Sequence, residues 1–180
     1  MNTSLLIAKY VKMCYTYVSI LPYGGFGVII TFFGHSSYMY NAIEEEKLFH
    51  LIEAISHNDI VEFYLGGYGK FDALAEKCCK RYKEKHGESK IIFITPYINK
   101  WLDDRKEYIN KRYDEIIYPE LEGVPPKYAI LRRNEWMIKK ANHVFFYVNT
   151  HYGGAYKAML FAAKHNVPYT NIYSGNYIFY

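Results

Sequence analysis

Three short apolar runs, each broken by a glycine-bearing turn and then followed by a helical pattern, constrain this chain more than any other feature. Val28-Ile-Ile-Thr-Phe-Phe33 leads into Gly34-His35-Ser36-Ser37. Ile60 to Leu65 leads into Gly66-Gly67-Tyr68-Gly69, and Val144 to Val148 is followed by Thr150-His151-Tyr152-Gly153-Gly154. The continuous apolar, β-branched and aromatic run of Val28 to Phe33 suits a strand covered on both faces.

Helical spacing fills the intervals. Ala42 to Ser56 carries Ile43, Leu48, Leu51, Ile52 and Ile55 as its expected buried stripe, with Glu44, Glu45 and Glu46 near the positive end. Phe71 to His86 places Leu74, Cys78 and Tyr82 inward; the Lys77, Lys80, Arg81 and Lys85 face is expected to be simply solvated. Lys90 to Ile94 is a strand. A polar, charged stretch containing Trp101 then leads to a short strand at Glu115 to Tyr118. A helix from about Tyr128 to Ala141, another from Gly153 to about His165, and a strand at Tyr169 to Ile172 complete the pattern. Repeated β-then-α units predict an α/β fold, a Rossmann-like open, mainly parallel sheet with helices on both faces.

In such a sheet ligands bind beyond the carboxyl ends of the strands, where strand order reverses. The glycine turns all fall at such ends. There, free backbone N–H groups and positive helix ends suit an anion, and glycine allows its close approach. Lys70 and Lys157 stand in the first turns of their helices and could add charge. The expected ligand-binding set is Gly34, His35, Ser36, Gly66, Gly67, Tyr68, Gly69, Asp72, Arg133, Asn134, Tyr152, Gly153, Gly154 and Lys157. His35 reads equally as a turn cap or a ligand contact. Asp72 suits the helix dipole, the favoured reading, or a ribose hydroxyl. Tyr68 and Tyr152 are candidates for stacking on a base, whereas Trp136 and Met137 read as core. His86, His143 and His165 have no partner spacing, and no metal site is expected.

Neither G-x-G-x-x-G nor G-x-x-x-x-G-K-[ST] is present, which disfavours a redox dinucleotide enzyme and a P-loop NTPase. The net charge of +4 fits an anionic small molecule and is too weak for non-specific nucleic-acid binding. Tyrosine occurs 21 times, beside many Lys, Ile and Asn, and AT-rich codon usage accounts for this. Cys14, Cys78 and Cys79 form no zinc spacing, and adjacent helical cysteines point about 100° apart, so reduced thiols and a cytoplasmic setting are expected.

Residues 1–27 read as an extension outside the 28–180 domain. Met13 to Ile43 is uncharged, yet Pro22, Gly24, Gly25 and Gly27 cut it into pieces too short to span a membrane, and no secretory cleavage site follows. GGAGG can encode Gly24-Gly25, and GTG, an alternative start codon, can encode Val28, so the extension also reads as an over-long assignment of the start. The aromatic Tyr173 to Tyr180 tail reads equally as an interface strand or as packing on its own domain.

Several of these pieces together resemble the SLOG superfamily, a Rossmann-like group that includes cytokinin-activating phosphoribohydrolases and the DNA-processing protein of transformation. The similarity is greatest to its YpsA-like branch. Thr31-Phe-Phe-Gly-His35 matches that branch's first strand and turn, and Leu65-Gly-Gly-Tyr-Gly-Lys-Phe-Asp-Ala-Leu-Ala75 its GG-x-x-G-x-D-x-x-A element. Arg133-Asn134-Glu-Trp-Met137 matches its RN-x-x-M helix, and Tyr152-Gly-Gly-Ala-Tyr-Lys157 its closing turn. The resemblance implies binding of a nucleotide or nucleotide derivative by a sensor or regulatory protein, and pairing into homo-oligomers, with no cofactor or membrane partner. The phosphoribohydrolase pattern PGGxGTxxE is broken at Tyr152, Tyr156, Lys157 and Leu160, the last replacing the catalytic glutamate. Ser36 stands where the branch commonly carries arginine. The expectation is therefore binding without catalysis. A nucleoside-monophosphate phosphoribohydrolase using other groups is the first alternative, and single-stranded nucleic-acid binding the second.

Overall fold

The computed structural model describes residues 27–57 and 59–173, apart from the side chain of Trp101. The expectations for residues 1–26, Cys14 and the 174–180 tail lie outside the described residues.

Six strands form one sheet, all parallel: β1 (Val28–Gly34), β2 (Val61–Leu65), β3 (Lys90–Ile94), β4 (Glu115–Ile117), β5 (His143–Tyr147) and β6 (Tyr169–Asn171). Their order is β4-β3-β2-β1-β5-β6, so the chain crosses from one edge to the far side of β1 between β4 and β5. The carboxyl ends of β1 and β5 therefore flank the reversal point. The five described helices are α1 (Ala42–Ser56), α2 (Lys70–Lys85), α3 (Lys100–Asn110), α4 (Pro126–Lys140) and α5 (Gly153–Lys164).

Each face of the sheet has its own apolar layer. Ile30, Phe32, Phe63 and Phe145 pack with Leu48 and Ile52 of α1 and with Leu74, Cys78 and Tyr82 of α2. Phe33, Tyr64, Ile92 and Phe146 pack with Met137 and Ile138 of α4 and with Ala158 and Ala162 of α5. Small alanines let α5 lie close to the sheet, and Trp136 stacks on Tyr64 with ring centroids 5.8 Å apart. Both strand partners of β1 are fixed by polar side chains at their starts. Asn142 Oδ1 accepts the Ile29 N–H at 2.7 Å, and Ser89 Oγ accepts that of Val61 at 3.1 Å.

Three expectations need correction. Residues 100–110 form α3 rather than a polar connection; Ile109 is buried and Leu102 packs against the core, while most other side chains face water. Ile43 is 67 % exposed, because it stands in the first turn of α1 off the stripe that Leu48, Leu51, Ile52 and Ile55 bury. The basic face of α2 is not simply solvated: Lys77 pairs with Glu45, Arg81 with Glu46 and Lys85 with Glu53, each reaching across to α1, and Lys80 pairs with Glu76. The buried His143 ring lies 3.0 Å from the Thr170 hydroxyl on β6, a contact outside the expectations above.

Among the described residues no helix is long and apolar enough to cross a membrane. None of their side chains form a cluster of three or more His, Cys, Asp or Glu that could hold a metal ion.

Candidate functional site

The glycine-bearing turns after β1, β2 and β5 converge on one cavity of about 510 Å³ at the carboxyl edge of the sheet. Its wall includes Gly34, His35, Ser36, Gly66, Tyr68, Asp72, Arg133, Asn134, Tyr152, Gly153 and Gly154. Gly67, Gly69 and Lys157 stand outside that lining. Ser37, Ile130, Thr150 and Ala155 belong to it as well, although none of them stood in the expected set. Thr150 sits in the same turn as Gly153, and turn membership is the signal that could have found it.

Two of the turns are locked to each other. The Thr150 hydroxyl lies 3.0 Å from His35 Nε2, and the His35 N–H donates to the Tyr147 carbonyl at 3.1 Å. Gly153 has φ +91°, a conformation that L side chains rarely adopt, and a Cβ there would stand 3.6 Å from the His35 ring. Glycine thus lets the α5 start turn over His35 with its backbone facing the cavity.

The third turn is organised around Arg133. This side chain is 3 % exposed although it comes from α4, on the other face of the sheet from α2. Its Nη1 donates to the Ile94 carbonyl at 2.8 Å and to the Gly66 carbonyl at 3.2 Å, bracing the ends of β3 and β2. Among the described residues its Nε has no hydrogen-bond partner, and neither has the buried Oδ1 of Asn134. The guanidinium carbon lies 5.6 Å from the centroid of the Tyr68 ring. Burial draws the guanidinium below its ordinary pKa, and the Asp72 charge opposes that shift through space.

Asp72 stands in the first turn of α2 and is itself buried. Its Oδ2 accepts the Tyr68 N–H at 2.7 Å, closing the Gly66 to Gly69 turn onto the helix start. Burial pushes its carboxyl up to about 7; the Tyr68 N–H and Arg133 pull it down, and Glu76 adds to the rise. A carboxyl pushed up to about 7 and a guanidinium whose Nε has no partner among the described residues therefore line one concavity. Tyr68 and Tyr152 are 44 % and 74 % exposed, so their rings are accessible at the mouth. Leu160 is exposed and does not line the cavity.

No family profile and no curated protein matches the sequence. Among solved structures, DNA processing protein A from Helicobacter pylori, described for its single-stranded DNA binding mode, overlays with a TM-score of 0.54. The two chains share a fold. The overlay covers 79 % of this chain and 63 % of DNA processing protein A, at 17 % identity. At that identity DNA processing protein A attests the Rossmann-like parallel architecture and nothing finer, and this chain spans less than two thirds of its length.

Proposed function

We propose that the cavity binds a nucleotide or a nucleotide-derived anion and that the protein works as a sensor or regulatory module of the YpsA-like kind. The observation that supports this is the convergence of three glycine-bearing turns and the buried Arg133 on one hollow of about 510 Å³. That volume lies within the roughly 300–1,000 Å³ of typical small-molecule sites. A cation buried against carbonyl oxygens alone is costly, and an anion in the cavity would offset that cost. Helix starts at α2 and α5 add donors for phosphate oxygens, and Tyr68 and Tyr152 offer faces to a base.

A thermal-shift screen of nucleotides on the full chain tests the reading. A ligand at a hundredfold its dissociation constant adds about 2.7 kcal/mol. Mass spectrometry of small molecules co-purifying from the native cell should find a nucleotide derivative. The absence of any shift, together with an empty preparation, would overturn it.

The fold shared with DNA processing protein A favours one second reading, single-stranded DNA as the ligand. Exposed Tyr68 and Tyr152 would then stack successive bases. A gel shift at physiological salt, unaffected by mononucleotides, supports that reading over the first; the net charge of +4 speaks against it.

A further inference from the structure

We propose that occupation of this cavity by an anionic ligand drives proton uptake at Asp72, so that the site holds its ligand more tightly as the pH falls. The inference rests on the nucleotide reading above and adds a proton as a second ligand of the same site.

The geometry is the basis. Asp72 and Arg133 line one cavity from α2 and α4, and both are nine-tenths or more buried. Asp72 is held by the Tyr68 N–H through Oδ2, and Arg133 is held by the Gly66 and Ile94 carbonyls through Nη1. Neither group can swing away into water when an anion arrives. Among the described residues Arg133 is the one charge that favours an ionised Asp72, and Glu76 on the same helix opposes it. The Tyr68 ring, the Tyr113 hydroxyl behind the turn and His35 on the far wall complete the polar surroundings.

An anion beside Arg133 takes over that favourable charge and adds a like charge near Asp72. Both changes disfavour the carboxylate, and at low local dielectric they are not screened away. The carboxyl starts from about 7, so protonation on binding falls within an accessible range. Linkage is reciprocal: if the anion raises proton affinity, the proton raises anion affinity by the same factor.

The test uses the full chain with ADP-ribose, whose pyrophosphate keeps its charge unchanged near neutrality. Titration calorimetry in buffers of different ionisation enthalpy at about pH 7.5 counts protons taken up. Affinity is then followed from about pH 6 to about pH 8.5. The expected result is net proton uptake and an affinity that weakens by up to about tenfold per pH unit on the alkaline side. Asp72→Asn keeps an acceptor for the Tyr68 N–H and should flatten the profile and remove the uptake. The uptake measured on the wild type stands even should that variant fold poorly. Binding with no proton uptake and a flat profile overturns the inference and leaves the nucleotide reading intact, as does a profile that persists in Asp72→Asn. Failure of ADP-ribose and of the whole nucleotide screen to bind at any pH overturns the reading itself, and the inference with it.

Discussion

Arg133 occupies the room that a side chain at position 66 would need: its Nη1 donates to the Gly66 carbonyl at 3.2 Å, and a Cβ on Gly66 would stand 2.6 Å from that same nitrogen. The guanidinium cannot yield cheaply, because the same nitrogen also binds the Ile94 carbonyl at 2.8 Å. Gly66→Ala should therefore displace Arg133 and cost about 1.5–3 kcal/mol, the worth of a charged hydrogen bond. Urea denaturation measures the loss. An unchanged midpoint would show that the arginine has somewhere else to go.

Arg133→Lys keeps the charge and removes the planar fork. A single ammonium is not shaped to brace two strand ends as the planar guanidinium does. The expected outcome is a modest loss of stability with at least a tenfold loss of affinity for whichever nucleotide the screen finds. Calorimetric affinity against melting temperature separates the two effects.

Asp72 makes stability depend on pH in a defined direction. Its folded carboxyl titrates at about 7 against an ordinary value of 3.8, so the native state holds a proton that the unfolded chain has released. Stability is accordingly fullest below the ordinary value and is lost as the pH rises towards about 7. Asp72→Asn should gain on the wild type by on the order of 1 kcal/mol per pH unit across that window, and by a constant amount above it. Urea midpoints for both proteins at about pH 5, pH 6 and pH 8 read this out. A pH-independent difference would contradict it.

His143 acts with the opposite sign. Burial lowers its ring to about 3 from 6.5, so below the ordinary value the unfolded state binds the extra proton. Its contribution is complete above about 6.5 and is lost progressively as the pH falls towards about 3. His143→Gln, which can still reach Thr170, should lose less stability than the wild type between about pH 6 and pH 4. Parallel acid melts check the difference.

The central strands were legible because they are buried on both faces, which forces apolar runs such as Val28 to Phe33 and Ile91 to Ile94. α3 was not legible. Only Ile109 and Leu102 anchor it, and two apolar contacts seven residues apart leave no stripe to read. The pairing of the α2 lysines and arginine with α1 glutamates was hidden for a different reason: it depends on which helices lie side by side, and sheet order decides that.

At the site, the glycine turns announced themselves by their position after strands. The internal arrangement did not. Arg133 meets Gly66 across 67 positions in the chain, and His35 meets Thr150 across 115. Asp72 read first as a residue suited to a helix start, which it does occupy, and only its burial, against the pull of Arg133, gives it an unusual proton affinity.

The contact between His35 and Thr150 joins the turn after β1 to the turn after β5, strands that lie side by side in the sheet although β2, β3 and β4 separate them in the chain. The hollow consequently has no half-built form: until β5 docks against β1, two of its walls are far apart along an unclosed loop. Any molecule that fits there acts as a clasp between two turns far apart in the chain. Its grip should register most strongly in how slowly the finished protein comes undone.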